Sequence, residues 1–413
     1  MSDISQLLVC LPFILLLLVI ALGPLFFPHF WEKNKNRALV VSALCLPTLF
    51  YIAKQAQWNP LFHSLHEYFS FICMVGSLYI ISGGISLRGN LKATPGGNTL
   101  LLLLGSILAS IIGTTGASML LIRVFLKTNS ERKKTWHLPL FFIFSVSNFG
   151  GLLTPLGDPP LFLGYLNGVP FHWTLSLFPE WLLSISYLLI IFYVWDHLFF
   201  RQEKKEDLQL DERKQEALQI EGSFNFLLLI GVMGCIFLPS PYREAGMIAL
   251  TLLSFKTTRR EIHHFNQFSF SPILEVVILF AGIFITMVPV LQILHVLAPD
   301  LGLSKSWHFF WVTGILSSFL DNAPTYLAFF NIAKSLGIQD ATLVAGIPEH
   351  ILRAISLAAV WMGANTYIGN GPNFMVKAIA EQQGYKPPNF ISYFFIAMLI
   401  LSPLYILTSL LFL

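Results

Sequence analysis

Two aspartates, Asp158 and Asp321, stand among Gly, Pro, Asn and Thr inside stretches that are otherwise apolar. A carboxylate at membrane depth is costly and marks a functional site by default. Burial favours the neutral acid and a bound cation favours the carboxylate, so one such group can exchange a proton for Na⁺. Each aspartate also opens a helix-start signal, Asp158-Pro159 and Asp321-Asn322-Ala323-Pro324, so capping is a second role open to both. Asn148 and Thr154 accompany Asp158, and Asn322 and Thr325 accompany Asp321. Asn365, Thr366 and Asn370 form a third group, and Thr114 and Thr115 a fourth. Amide and hydroxyl oxygens suit hard cations, and the expected Na⁺ ligands are Asp158, Asn148 and Asn365.

These groups sit in elements that recur. Residues 151–162 return in altered form at 363–374, with Thr154/Thr366, Gly157/Gly369, Asp158/Asn370, Pro160/Pro372 and Phe162/Phe374 in register at an offset of 212. Ile107-Leu108-Ala109-Ser110 matches Ile315-Leu316-Ser317-Ser318 at an offset of 208, and so does Glu67 with Glu275. Three matches in the same order at nearly constant offset predict an internal duplication. A matched pair of broken apolar segments is the best sequence pointer to a transporter's binding site.

The chain has 413 residues, 55% hydrophobic and 11% charged. A soluble domain would carry about a quarter charged residues. No basic cluster interleaved with aromatics points to nucleic acid. Cys10, Cys45, Cys73 and Cys235 lie in apolar runs without CxxC spacing and read as buried thiols. The first apolar run, 7–27, lacks a basic leader and reads as an uncleaved span. No Walker loop, nucleotide fingerprint, HExxH or GxSxG is present, so an ATP-driven pump and the common hydrolases are not expected.

The predicted fold is an all-α polytopic membrane protein with two inverted repeats. It has about 10 transmembrane helices, two re-entrant hairpins and two discontinuous helices. The first repeat, 1–199, holds spans at 7–27, 38–56, 66–87 and 172–199, a hairpin at 98–126 and a broken helix at 139–166. A charged linker, 200–221, reads as a solvated cytoplasmic helix or loop. The second repeat, 222–413, holds spans at 222–238, 244–256, 271–297 and 390–412, a hairpin at 307–331 and a broken helix at 346–380. With both hairpins re-entrant and the N-terminus outside, 20 of the 25 basic residues fall on the cytoplasmic side. That distribution satisfies the positive-inside rule, and it makes the first hairpin open from the cytoplasm and the second from outside. The broken segments expose backbone groups that must be satisfied by protein, water or an ion. Glu67 and Glu275 are possible secondary sites near mirrored interfaces, and His66 beside Glu67 could tune a response near neutral pH. Arg353 and Lys377 read as snorkelling to the headgroups.

The run Ser147-Asn148-Phe149-Gly150-Gly151-Leu152-Leu153-Thr154-Pro155-Leu156-Gly157-Asp158-Pro159-Pro160 resembles the ion transporter superfamily, as does Gly363-Ala364-Asn365-Thr366-Tyr367-Ile368-Gly369-Asn370-Gly371-Pro372-Asn373. With Leu320-Asp321-Asn322-Ala323-Pro324-Thr325, the chain looks most like NhaD-like sodium/proton antiporters and the citrate transporter branch. The resemblance covers roughly 60–410. It implies two hairpins meeting two unwound helices at mid-membrane, a homodimer, and a transport domain that moves as an elevator against a scaffold. Ion-site residues carried over are Asn148, Thr154, Asp158, Asp321, Asn322, Asn365, Thr366 and Asn370. The symporter branch carries paired Ser-Asn-Thr signatures, which Ser147-Asn148-Phe149 and Ala364-Asn365-Thr366 match only in part.

The expected function is a secondary transporter that exchanges Na⁺ or Li⁺ for H⁺, with Asp158 and Asp321 as exchanging groups and no cofactor besides the transported or coupling ion. The alternative is a Na⁺- or H⁺-coupled transporter of citrate, dicarboxylate or another anion. The expected location is a bacterial-type inner membrane, multi-pass, with both termini outside. Because one motif keeps Asp158 where the other has Asn370, the titratable charge of this pair belongs to the first half, and the two should face each other.

Overall fold

A computed structural model describes the backbone of residues 3–338 and 340–413. The first half begins with α1 (Asp3–Phe26), the short α2 (Pro28–Trp31), α3 (Asn34–Lys54) and α4 (Trp58–Gly83). Strand β1 (Ser86–Asn90) leads to α5 (Pro95–Ile112) and α6 (Thr114–Thr128), which pack against each other. Thr94 starts α5 by accepting a hydrogen bond from the Gly97 amide at 3.2 Å, with Pro95 at the first helical position. One residue, Gly113, joins the two helices. Its φ of +83° is a conformation that glycine adopts freely and side-chain-bearing residues do not.

Next come α7 (His137–Ser145), a 3₁₀ turn at 149–153, α8 (Pro159–Leu166) and α9 (Phe178–Phe200). The linker forms α10 (Lys205–Arg213) and β2 (Glu216–Glu221). The second half runs through α11 (Phe224–Ile236), α12 (Tyr242–Thr257), α13 (Arg260–Phe265) and α14 (Ser271–Leu297). It continues with α15 (Ser306–Phe319), α16 (Asn322–Ser335), the small ladder β3 (Leu343–Val344) and β4 (Ile347–Pro348), and α17 (Glu349–Met362). After a 3₁₀ turn at 363–365 it ends with α18 (Gly371–Gln382) and α19 (Phe390–Phe412).

Among the described residues, six helices are long and apolar enough to cross a membrane: Asn34–Lys54, Trp58–Gly83, Pro95–Ile112, Phe171–Phe200, Ser271–Leu294 and Phe390–Phe412. Shorter apolar helices lie at Leu8–Pro24, His137–Leu153 and Phe224–Ile236, and two short helices, α7 and α17, end at the breaks that the sequence marks. Helix α14 packs along α1, α3 and α4, while α15 packs on α17, and α16 on α8 and α17. Pro12, Pro24, Pro47, Pro289 and Pro403 lie inside long helices. Apolar helices tolerate this where neighbouring groups take up the freed carbonyls.

The linker departs from expectation. It is not a free helix or loop, and the chain is not purely helical, because β2 pairs antiparallel with β1 through Ser86↔Glu221, Leu87↔Ile220 and Arg88↔Gln219. Ion pairs join Lys92 to Glu212 at 2.5 Å, Lys127 to Glu216 at 2.8 Å and Lys214 to Glu131 at 2.9 Å. Alternating Lys and Glu thus read a partner surface on β1, α5 and α6 rather than water alone. Asp211 is buried and its Oδ2 accepts from the Ala93 amide at 3.0 Å, which ties α10 to the start of α5. Burial raises the Asp211 carboxyl above the usual aspartate range.

Candidate functional site

The two broken segments have the same backbone course. Thr154 and Thr366 end their 3₁₀ turns at φ/ψ of −140°/156° and −137°/164°. Asp158 and Asn370 precede α8 and α18 at −142°/141° and −152°/138°. The Thr154 hydroxyl donates to the Ser110 carbonyl on α5, and the Thr366 hydroxyl donates to the Ser318 carbonyl on α15. Each broken segment is therefore pinned to its own helix pair by matching atoms. The close turn needs glycine. A Cβ on Gly157 would lie 2.0 Å from the Gly151 carbonyl oxygen, and one on Gly369 would lie 2.6 Å from that of Gly363.

Four helix starts converge where these segments meet. Thr114 opens α6, Asn322 opens α16, and Asp158 and Asn370 stand just before α8 and α18. The Asp158 carboxylate is fully buried. Its Oδ1 accepts from Thr114 Oγ1 at 2.9 Å and from Asn370 Nδ2 at 3.1 Å, and its Oδ2 accepts from Asn322 Nδ2 at 2.5 Å. The Thr114 amide also donates to the Gly157 carbonyl at 2.8 Å. Asp158 occupies a cap position but its side chain makes no capping bond, so capping does not account for it. Helix N-termini each carry roughly half a positive charge. The cluster therefore suits negative charge, and the Asp158 carboxyl is the titratable group placed to carry it.

Asn370 also lies 3.2 Å from Asn148 Oδ1 and 3.1 Å from the Ser147 carbonyl. Asn148 Nδ2 donates to Ile143 O at 2.8 Å and to Asn373 Oδ1 at 2.7 Å. Asn373 Nδ2 in turn donates to the carbonyls of Gly363 and Thr366 at 2.9 and 3.0 Å. A chain of amides thus runs from Asp158 to the second break and satisfies its carbonyls. In the Asp158 cluster, Asn322 Oδ1 is buried and has no hydrogen-bond partner among the described residues.

The other expected residues divide. Asp321 caps α16, its Oδ1 accepting from the Ala323 amide at 3.1 Å, and Thr325 donates to the Asp321 carbonyl at 2.9 Å. Neither bonds to Asp158. Asn365 donates to Ser318 Oγ and accepts from Tyr405, both at 2.9 Å, so it is engaged away from Asp158. Thr115 is half-buried one residue past the tip and makes no hydrogen bond to Asp158 among the described residues. Glu275 pairs with Arg37 at 3.1 Å, and Glu67 lies 3.5 Å from His63 in a separate recess that His66 also lines. Arg353 pairs with the fully buried Glu180 at 2.5 Å and with Glu349 at 3.4 Å. Lys377 pairs with Glu381 at 2.9 Å.

Sequence reasoning passed over Asn373, Ser318 and Tyr405. Asn373 stood in the quoted motif, and an Asn one turn beyond a broken segment is the signal that could have found it. Tyr405 lies in an apolar span and left no signal.

Compared with known families, the chain matches over residues 2–413 the family described as "putative citrate transport". No curated protein matches it.

Proposed function

The chain belongs to this citrate transport family, and we propose that it is a secondary transporter of a citrate-class carboxylate, driven by a cation or proton that acts at Asp158. Its apolar helices and its family make it a multi-pass membrane protein of transport. The observation that carries the proposal is the convergence of the starts of α6, α8, α16 and α18 on one buried point. Oriented helix N-termini and side-chain amides are a charge-matched bed for carboxylate groups. Asp158 fills that bed now; protonation or a bound cation would neutralise it and let a substrate carboxylate take its place. The matching backbone course of the two broken segments supports two inverted repeats. An elevator movement, a homodimer, a bacterial-type inner membrane and external termini complete the reading.

The test is uptake of labelled citrate into proteoliposomes of the purified protein under an inward Na⁺ or H⁺ gradient. Gradient-dependent uptake is expected. No uptake of citrate, succinate or other di- and tricarboxylates under either gradient, with insertion verified, would sink the proposal.

A second reading, exchange of Na⁺ or Li⁺ for H⁺ alone, is favoured by one observation. Among the described residues, Asn322 Oδ1 is unpartnered beside the Asp158 carboxylate, and these oxygens together suit a hard cation. It requires that Na⁺ added to everted vesicles discharges a preformed pH gradient without any carboxylate present.

A further inference from the structure

On the face that carries the linker, a cavity of about 890 Å³ opens between β1, β2, α6, α13 and the end of α18. That is within the range of small-molecule sites, roughly 300–1,000 Å³. Arg88, Arg123 and Lys127 line it, together with the amides of Gln219, Gln382 and Gln383. Lys127 is taken up by Glu216 at 2.8 Å and Arg88 by Glu221 at 3.0 Å. Arg88 is further held by its guanidinium lying 4.3 Å from the centre of the Phe265 ring. Arg123 has neither an ion pair nor a hydrogen bond among the described residues, and its Nη1 is buried without a partner. Glu216 also lines the cavity, but its carboxylate is paired with Lys127, so a partly buried guanidinium with an orphaned nitrogen is left there without an anion.

Its position gives the anion a destination. Thr115, Met119, Arg123 and Lys127 recur every four residues and share one face of α6. Arg123 lies nine residues from Thr114, or about 14 Å along the helix axis from the Asp158 cluster. At the offset of 208, Asn331 stands where Arg123 would be, so α16 repeats the basic residue of the last turn, Lys334 for Lys127, but not the guanidinium.

We infer that this cavity is a binding site for a di- or tricarboxylate on the cytoplasmic side, with Arg123 as its charge and the glutamine amides as further donors. It collects the anion before or after passage through the Asp158 cluster, and in this it rests on the carboxylate reading of the function. Guanidinium and amide donors fit the several oxygens of a polycarboxylate better than a monovalent halide.

The test is a citrate titration of the purified protein, read as thermal stabilisation, on wild type, Arg123→Gln and Arg123→Lys. Arg123→Gln is expected to raise the half-saturating citrate concentration about tenfold or more, while Arg123→Lys keeps most of the wild-type affinity. Should Arg123→Gln not fold, Gln383→Glu places an opposing charge at the same cavity and is expected to weaken binding in the same direction. Wild-type protein that citrate does not stabilise, or a half-saturation within twofold of wild type in Arg123→Gln (or in Gln383→Glu, if that variant is used), overturns the inference. Arg123-dependent citrate binding without any carboxylate transport would leave the cavity assigned and sink the proposed function instead. Transport that persists with Arg123→Gln binding citrate as wild type does would do the reverse.

Discussion

Asp158 and Asn370 are hydrogen-bonded to each other, Asn370 Nδ2 donating to Asp158 Oδ1 at 3.1 Å across 212 positions of sequence. They occupy the same register in the two motifs, so corresponding positions meet at one point. Their unlike chemistry makes the meeting productive. Two aspartates this close could not both ionise, and two asparagines would leave the four helix starts without a negative charge. One of each gives a single titratable charge with three side-chain donors and no fixed cation beside it.

Asp158→Asn should therefore abolish coupled transport while the protein still folds. The amide keeps the shape of the carboxylate but has no proton to exchange and no negative charge to offset that of a cation. The check is uptake in proteoliposomes beside a melting curve. Full transport in this variant would remove Asp158 from the mechanism. Asn370→Ala should instead cost stability, about 1–3 kcal/mol, since it strips a donor from a buried carboxylate.

The glycines of the breaks make a sharper structural test. Gly157→Ala and Gly369→Ala would place a Cβ 2.0 and 2.6 Å from backbone oxygens, which have no side chain to turn aside. Each should destabilise by about 1–3 kcal/mol or more, as overpacked cores do. At Gly371, one residue into α18, nothing lies within 4 Å of an added Cβ. Gly371→Ala should leave the melting temperature unchanged or slightly raised. Equal melting of Gly157→Ala and Gly371→Ala would show that the turn relaxes freely.

The helices and both breaks were legible because each rests on a local signal: a long apolar run, or a Gly and Pro cluster that interrupts one. The contact of Asp158 with Asn370 was legible from the register of the two motifs. What was not legible depends on partners distant in sequence. Asp321 and Asp158 carry similar local signals, yet Asp321 bonds its own helix and Asp158 bonds three others. Whether an aspartate caps or crosses to a neighbour is decided by what packs opposite. The linker failed for a related reason. Residues 216–221 are solvated as read, but their pairing as a strand was not legible because the partner, 86–90, lies more than a hundred residues earlier.

Thr154 and Thr366 should share their burden unequally if the halves move differently. Each hydroxyl ties a broken segment to its neighbouring helix pair, at Ser110 O and Ser318 O. Replacement by Val preserves volume and removes the donated bond together with those the hydroxyl accepts, from the Leu156 amide at Thr154 and from the Ile368 and Gly369 amides at Thr366, at about 1 kcal/mol of stability per bond. Thr366→Val should cost more, since the Thr366 hydroxyl also accepts from the Gly369 amide at 3.0 Å. Melting curves of both variants decide it, and a larger loss for Thr154→Val would contradict the ordering.

The docked linker should tighten in mild acid. Asp211 is buried against the Ala93 amide, and burial raises its carboxyl above the usual range. Lys92, Glu131 and Glu212 also act on it, the lysine lowering it and the two glutamates raising it. A carboxyl raised in the folded state stabilises that state fully below its unfolded value and loses the contribution as pH climbs through the raised one. The neighbouring Glu131 is held low by Lys214, so its contribution is complete above the ordinary carboxylate value and falls away only at lower pH. Of these two carboxyls, Asp211 sets the trend between these limits. Amide protection of residues 205–213, corrected for intrinsic exchange, should fall as pH rises from just above the ordinary carboxylate range toward neutrality. Asp211→Asn should flatten that trend. Protection that rises with pH over the same interval in the wild type would place the controlling charge elsewhere.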